Sequence, residues 1–236
     1  MTENETVGVA DQNGSLRRTK TSIPARRGSE YIDVLLRNLD QQLLQKSGSG
    51  SAVIGLAACQ QKQGLTTTAI NLAIRSADHG LGPVLLIDAN VKNGKLSRLY
   101  RTGRVGYGDC LAGAATLKSA VTPTKIQSLD ILGVGDKQVA GQIVPDPSLT
   151  TEFFKQVRDQ YRVTIVDMPV FKNPSPAHSL STYVDSVVVV ARSGVQHQRL
   201  VEMQESIEDV NDNLLGVVMT GGEGSVLPRW LQRWFD

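Results

Sequence analysis

The chain has 236 residues, of which 40% are hydrophobic and 20% charged, with a formal net charge of +2. This length suits one α/β domain of about 200 residues plus a tail. Acids and bases are interspersed, which argues against a nucleic-acid protein that binds through counterion release. No apolar run approaches the ~20 residues of a membrane helix, and the first residues lack an apolar core of signal-peptide length. We therefore expect a cytoplasmic protein.

Residues 1–29 are polar and carry a basic cluster without an acid in it: Arg17, Arg18, Lys20, Arg26 and Arg27. This composition predicts a disordered basic N-terminal arm. The simplest interpretation is a solvated tail, and the alternative is contact with acidic headgroups or a partner.

Residues 30–46 form a helix pattern, in which Ser29 is a suitable N-cap and a Ser-Gly run over 47–50 ends the helix. Its apolar side chains fall on one stripe: Ile32, Leu35, Leu36, Leu39, Leu43 and Leu44. We expect this leading helix to open a domain over 30–222, followed by an aromatic tail over 223–236.

A loop of phosphate-binding type follows the first apolar strand, in the sequence AVIGLAACQQKQGLTTTAINLAI. The P-loop pattern G-x-x-x-x-G-K-[ST] places Cys59 at its first glycine and Gly64 at its second. Leu65 then occupies the lysine position and Thr66 the hydroxyl position. We expect Gly64, Thr66 and Thr67 to retain nucleotide contacts, without confident catalytic residues.

Leu65 matters because the P-loop lysine reaches the terminal phosphates, and phosphoryl transfer depends on electrostatic stabilisation. Leucine offers no charge, so roughly 10²–10³ in rate should be lost. Cys59 and Lys62 also restrict a loop that usually needs glycine. Lys62 is the alternative cation, although a solvated loop lysine is the simpler interpretation.

Five further apolar runs predict buried strands at Val84–Asp88, 129–134, Val163–Asp167, 186–191 and 214–219. Helical patterns lie between several of them, at 66–78, 149–161 and 196–210. This alternation predicts an α/β fold with a doubly wound, mostly parallel sheet of the P-loop NTPase type.

Asp88 and Asp167 each end a predicted strand, and ligands of parallel sheets bind beyond that edge. A carboxylate beside a P-loop commonly holds Mg²⁺, with the loop hydroxyl as another ligand. Thr66, Asp88 and Asp167 are therefore the predicted residual Mg²⁺ site. The alternative is that each aspartate caps a neighbouring helix or turn.

The two cysteines, Cys59 and Cys110, are too few for a metal or disulfide framework. We expect two reduced thiols, with a disulfide between them as the alternative.

Over residues 30–220 the chain resembles the cytoplasmic domain of bacterial tyrosine kinases (BY-kinases) of capsule and exopolysaccharide export. These kinases belong to the MinD/ParA-type deviant Walker ATPases. The segments that carry the resemblance are TTTAINLA, VLLIDAN, GYGDCLAG, VTIVDMPV, VDSVVVVARSGV and LLGVVMT. The resemblance implies ATP or ADP with Mg²⁺ as the pocket's ligands, here bound weakly.

The departures from the family pattern involve several separate parts. Leu65 replaces the Walker lysine, Asn90 replaces an aspartate near the metal, and Thr220 stands where an asparagine faces the base. Met168 and Val170 break the Thr-Pro-Pro that follows Asp167. Glu30 of the ring-forming E-x-x-R-x-x-R motif stays, while Asp33 and Leu36 take the arginine positions. The tail, GGEGSVLPRWLQRWFD, lacks the family's tyrosine cluster.

The tail predicts a short helix that begins at Pro228 and carries Trp230 and Trp234 on one face. Tryptophan beside arginine is enriched at binding hot spots, so these two residues and Glu30 are candidates for partner contact. The alternatives are packing on the domain's own core and a foot at the membrane interface.

Together these features predict a degenerate, catalytically inactive family member. By resemblance, its partner would be the cytoplasmic end of a membrane-anchored polysaccharide copolymerase (a chain-length protein). That contact would hold it at the inner face of the inner membrane, without nucleic acid. The alternatives are an active tyrosine kinase that uses Lys62 or a partner's lysine, and a MinD/ParA-like positioning ATPase.

Overall fold

The computed structural model describes residues 8–10, 16–18, 36–37, 50–136, 146–172, 175–211 and 213–220. The strands are β1 (Gly8–Ala10), β2 (Leu16–Arg18), β3 (Ala52–Ala57), β4 (Val84–Asp88), β5 (Val121–Pro123), β6 (Leu129–Leu132), β7 (Val163–Asp167), β8 (Ser186–Arg192) and β9 (Leu214–Thr220). The helices are α1 (Leu65–Asp78), α2 (Lys95–Tyr100), α3 (Tyr107–Leu111), α4 (Leu117–Ala120), α5 (Pro147–Gln160), α6 (Pro176–Ser181) and α7 (His197–Asn211).

The described strands form one sheet in the order β2-β1-β9-β8-β3-β7-β4-β6-β5. The six central strands, from β9 to β6, run parallel to one another. Antiparallel pairs occur at the two edges, where β5 joins β6 and the β1–β2 hairpin joins β9. The predicted doubly wound, mostly parallel sheet is therefore confirmed.

Successive side chains of a strand point to opposite faces of the sheet, so the apolar central strands present apolar side chains on both faces. Helices cover both of these faces. In β4, Leu85 and Ile87 join the core cluster that contains Phe153 and Phe154 of α5. Val84 and Leu86 join the other cluster, with Leu72 and other apolar residues of α1. Burial on both sides explains why the central strands read as near-continuous apolar runs.

The leading helix is described at Leu36 and Arg37, where the backbone is helical. Leu36 is only 6% exposed and joins the α1 side of the core. The rest of 30–46 and the tail lie outside the described residues. The N-terminal arm was predicted to be disordered, and this is wrong for the six residues of β1 and β2, which pair as strands at the edge of the sheet. The rest of the arm lies outside the described residues.

The structure also adds short elements that the apolar pattern did not predict. They are α2, α3, α4, β5 and α6, each of three to six residues. The run 129–134 is a strand only as far as Leu132. Within the described part of the chain, no helix has the length and apolar character needed to cross a membrane.

Candidate functional site

The central strands bring the predicted site residues to one edge of the sheet. β7 lies between β3 and β4, and Asp88 pairs with Asp167 in the parallel register. The loop that follows β3 leads into α1, whose second and third residues are Thr66 and Thr67, both half-buried. Loop, hydroxyl and both carboxylates therefore lie on adjacent elements, as predicted.

The phosphate-binding loop has two residues in the left-handed region. Gly64, the N-cap of α1, has a φ of 84°, which glycine adopts without a Cβ penalty. Lys62 has a φ of 62° and is exposed. Such a conformation is uncommon for a residue with a side chain and costs roughly 1–2 kcal/mol.

Leu65, at the lysine position of the loop pattern, is half-buried and packs against the α1 side of the core. The side chain therefore contributes to packing and offers no cation to the site. This contact gives a physical reason for leucine at the first residue of α1.

Two hydrogen bonds attach the loop to the ends of β8 and β9. The Thr220 hydroxyl donates to the backbone carbonyl of Gln63 at 2.7 Å. The backbone N–H of Arg192 donates to the Gln63 side-chain oxygen. A Cβ on Gly64 would lie 3.2 Å from Thr220 Oγ1, so the loop and β9 are in close contact.

Asp88 is fully buried, and other protein groups donate to its carboxylate. The backbone N–H and the hydroxyl of Ser97 donate to Oδ2 at 3.0 and 2.9 Å, and the Asn90 N–H donates to Oδ1 at 3.3 Å. Burial nevertheless raises the pKa of Asp88, against the lowering effect of these hydrogen bonds. Asp88 thus caps α2, which is the alternative that the sequence left open.

Asp167 differs from Asp88, although it is only 1% exposed. Neither of its carboxylate oxygens has a hydrogen-bond partner among the described residues. Burial is the main cause that raises the pKa of Asp167 to about 7, and the charge of Asp88 adds to it. The Thr66 hydroxyl and the charge of Lys95 lower the same pKa. Thr66 is close enough to do so, but makes no hydrogen bond of ordinary geometry to Asp167.

This donor set fits Mg²⁺, which prefers oxygen ligands and keeps several waters. The buried carboxylate without a partner and the nearby Thr66 hydroxyl would hold it, directly or through water. Across the described ranges, no group of three or more His, Cys, Asp and Glu side chains could hold a metal. Asp167 and Thr66 are thus the better placed of the predicted ligands, and the role of Asp88 stays a prediction.

The remaining predicted residues have the following positions. Both cysteines are free thiols, with Cys59 half-buried in the loop and Cys110 buried. Glu30, Trp230 and Trp234 lie outside the described residues, so their partner-binding role stays a prediction.

Sequence reasoning missed Ser97, Lys95 and the role of Gln63. The Asn-Gly turn at 93–94 was a signal that the chain bends back after Asp88.

Met168, the residue after Asp167, has its side chain in the core of the domain. It is fully buried, and a Cβ added to Gly55 of β3 would come 2.7 Å from its Cε. The departure from the family pattern at Met168 therefore fills the core above β3.

Comparison with known proteins places this architecture among tyrosine kinases and their structural relatives. No family model matches the chain. It is 23% identical to the tyrosine-protein kinase CpsD of Streptococcus pneumoniae serotype 4, over 82% of this chain and 84% of CpsD. It is 30% identical to the tyrosine-protein kinase wzc of Salmonella typhi, over 83% of this chain and 27% of wzc. Over most of its length the chain is therefore similar in sequence to bacterial tyrosine kinases.

Solved structures share the fold of this chain. The kinase domain of Escherichia coli tyrosine kinase ETK matches 89% of the chain and 86% of that domain, with a TM-score of 0.71 and 21% identity. MinD of Pyrococcus horikoshii, complexed with Mg-ADP, matches 79% of this chain and 78% of MinD, with a TM-score of 0.60 and 21% identity. The resemblance drawn from the sequence motifs is thereby confirmed.

Proposed function

We propose that this protein is a catalytically inactive BY-kinase homologue that regulates extracellular polysaccharide assembly or export. The polysaccharide would be of capsule, exopolysaccharide or holdfast type. The protein acts by binding the cytoplasmic end of a membrane-anchored polysaccharide copolymerase. It works in the cytoplasm, at the inner face of the inner membrane through that partner. Relatedness to tyrosine kinases of the CpsD and wzc type supports the pathway.

The packing of Leu65 is the observation that carries the inactivity. A lysine at this position supplies the positive charge that stabilises the transferring phosphoryl group. Here the side chain is half-buried and packs against the core cluster on the α1 side of the sheet. The site retains a hydroxyl and a buried carboxylate, which support weak binding of Mg-ATP or Mg-ADP as a structural ligand.

Transfer from γ-labelled ATP tests the inactivity directly. The purified protein is assayed alone and with the cytoplasmic peptide of the copolymerase, using a tyrosine-containing peptide as acceptor. We expect neither phosphotyrosine nor ADP above background. Turnover that disappears in Asp88→Ala or Asp167→Ala would show an active kinase or ATPase. ATP-dependent dimerisation in size-exclusion chromatography would instead indicate a positioning ATPase.

Binding of the partner is tested separately, because it does not depend on catalysis. The full chain is titrated with the copolymerase's cytoplasmic peptide, and Trp230→Ala/Trp234→Ala is the matched variant. We expect saturable binding by the unaltered chain and a loss of at least tenfold in the variant, because tryptophans dominate interface hot spots. Absence of binding by the unaltered chain would contradict the proposed partner.

Restoring the cation is the complementary test. We expect Leu65→Lys to bind Mg-ATP about tenfold more tightly, since a charge-assisted hydrogen bond is worth roughly 1.5–3 kcal/mol. Leu65→Met keeps the packing without the charge and is the control, with an unchanged dissociation constant in calorimetry. Equal affinities of the Lys and Met variants would show that position 65 does not face bound phosphate.

A further inference from the structure

The site lacks positive charge for binding phosphate, and other elements near the same edge of the sheet can supply it. Its phosphate-binding loop lacks the usual lysine, and its two buried aspartates add negative charge. Any polyphosphate that enters beside Asp167 therefore needs a cation from elsewhere. Within the described part of the chain, Lys62 lies in the loop itself and Lys95 begins α2.

The position of α2 is set by Asp88. After β4 the chain turns back, with the Gly94 N–H donating to the Asn90 carbonyl at 2.7 Å. Ser97, in the first turn of α2, then donates twice to Asp88 Oδ2. The Ser97 hydroxyl also accepts from the Val134 N–H at 2.9 Å, which attaches α2 to the segment after β6.

This attachment places the first turn of α2 next to the Asp167 carboxylate, which accepts no hydrogen bond from the residues that the structure describes. Asp88 pairs with Asp167 in register, and the Ala89 N–H donates to the Asp167 backbone carbonyl at 3.1 Å. Lys95 lies two residues before Ser97, in the same turn. Its charge acts on Asp167, whose pKa it lowers.

Lys95 is also available to a ligand. Its side chain is exposed, and it forms no ion pair with any residue that the structure describes. Lysine carries a flexible four-carbon stem, so its ammonium can reach a phosphate that enters beside the carboxylate.

We propose that Lys95 supplies, from α2, the phosphate-binding cation that the loop lacks, and that it contacts the terminal phosphates of a bound Mg-nucleotide. This inference rests on the proposed residual nucleotide site and adds to it the residue that determines affinity. A cation on α2 approaches the polyphosphate from the β4 side rather than from within the loop. Binding is thereby retained, while the lysine position that serves transfer stays apolar.

Calorimetric titration of the full chain with Mg-ATP and Mg-ADP tests the assignment. We expect Lys95→Gln to weaken Mg-ATP binding about tenfold, the loss of one charge-assisted contact. Lys95→Arg should stay within about threefold, because the charge remains. In Lys95→Gln the affinity for Mg-ATP should fall more than the affinity for Mg-ADP, since the Lys95 charge acts on the terminal phosphates.

Lys92→Gln is the matched control, because Lys92 is exposed in the turn that leads into α2 and the same charge is removed from the chain. Its dissociation constant should stay within about twofold. Lys62→Gln is measured in parallel as the rival cation. A loss in Lys92→Gln or Lys62→Gln equal to that in Lys95→Gln would overturn the specific role of Lys95.

Salt dependence adds a readout that a merely structural role would not move. The fall of Mg-ATP affinity with rising NaCl should be shallower in Lys95→Gln than in the unaltered protein, because screening acts on a charge that has been removed. Binding that is unchanged in Lys95→Gln would overturn the assignment while leaving the nucleotide site intact. Failure of the unaltered chain to bind either Mg-nucleotide would overturn both.

Discussion

At the residue scale, the two buried aspartates differ in what surrounds them. Asp88 accepts hydrogen bonds from Ser97 and Asn90, whereas the oxygens of Asp167 lack a partner among the described residues. A buried polar group without a partner costs roughly 1–3 kcal/mol, more when charged. Asp167 is therefore the aspartate that reduces stability in the absence of a ligand.

We expect Asp167→Asn to stabilise the protein at pH 8 in the presence of EDTA. In the unaltered chain, folding raises the pKa of Asp167 from 3.8 to about 7, so folding favours the protonated carboxyl group. The unfavourable contribution of Asp167 to the free energy of unfolding is absent below pH 3.8, grows as the pH rises to about 7, and is constant at higher pH. Asparagine removes the charge and thus this part of the pH dependence.

Urea unfolding at pH 4 and pH 8 measures this effect. The free energy of unfolding should fall less between these values in Asp167→Asn than in the unaltered chain. Asp185→Asn, which removes the partner of Arg158, is a control at another carboxylate and should be destabilised at pH 8. A variant at position 167 that is less stable than the unaltered chain at pH 8 would contradict the prediction.

Ser97 should stabilise the Asp88 side of the site. Ser97→Ala removes a donor from a buried carboxylate and an acceptor from the Val134 N–H, so we expect a loss of about 1–3 kcal/mol. Ser119→Ala, on exposed Ser119 in another short helix, should stay within about 0.5 kcal/mol. Chemical denaturation of both variants decides. Equal values would mean that the Asp88 network adds nothing to stability.

At the element scale, the loop before α1 is held by the end of β9. Gln63 O accepts from the Thr220 hydroxyl, and Gly64 leaves room for the Thr220 side chain. Gly64 was predicted as a phosphate-loop glycine, and the structure gives it a packing role as well. Both roles favour glycine, because a Cβ would be strained by the φ of 84° and would crowd Thr220.

We expect Gly64→Ala to destabilise the protein by about 1–3 kcal/mol, the sum of left-handed strain and crowding. Gly80→Ala is the matched control, since Gly80 has a φ of 66° but no atom within 4 Å of an added Cβ. Gly80→Ala should be destabilised only by the left-handed strain, about 1–2 kcal/mol. Thr220→Ala should recover part of the loss in a double-mutant cycle. Equal destabilisation at 64 and 80 would show that Thr220 does not restrict the loop.

At the scale of the whole molecule, the parallel sheet needs apolar cover on both faces, and Leu36 supplies part of it on one face. Leu36 joins Ile70, Ile74 and their neighbours on the α1 face of the core. Leu36 is therefore part of the domain core, and the start of the domain at residue 30 stays a prediction.

We expect Leu36→Ala to lower the free energy of unfolding by about 2–4 kcal/mol, as buried leucines do when truncated. Arg37→Ala, at an exposed position beside it, should change it by less than about 0.5 kcal/mol. Urea denaturation measures both. A loss below about 1 kcal/mol would mean that the Leu36 side chain packs only loosely in the core.

The sequence by itself determined the central strands, the long helices, the doubly wound class and the resemblance to bacterial tyrosine kinases. Strands covered on both faces and helices of fourteen or fifteen residues have apolar patterns that can be read locally. The short elements α2, α3, α4, β5 and α6 escaped because three to six residues carry too little periodicity. They form where the larger elements leave room.

Only the tertiary structure decided how the site residues are used. Gln63 and Thr220 are 157 residues apart and meet because β9 ends beside the loop. Asp88 and Asp167 ended similar strands in the sequence, yet the turn back to Ser97 gives a partner to the first alone. Such differences arise from contacts between distant segments, which a pattern of neighbouring residues does not encode.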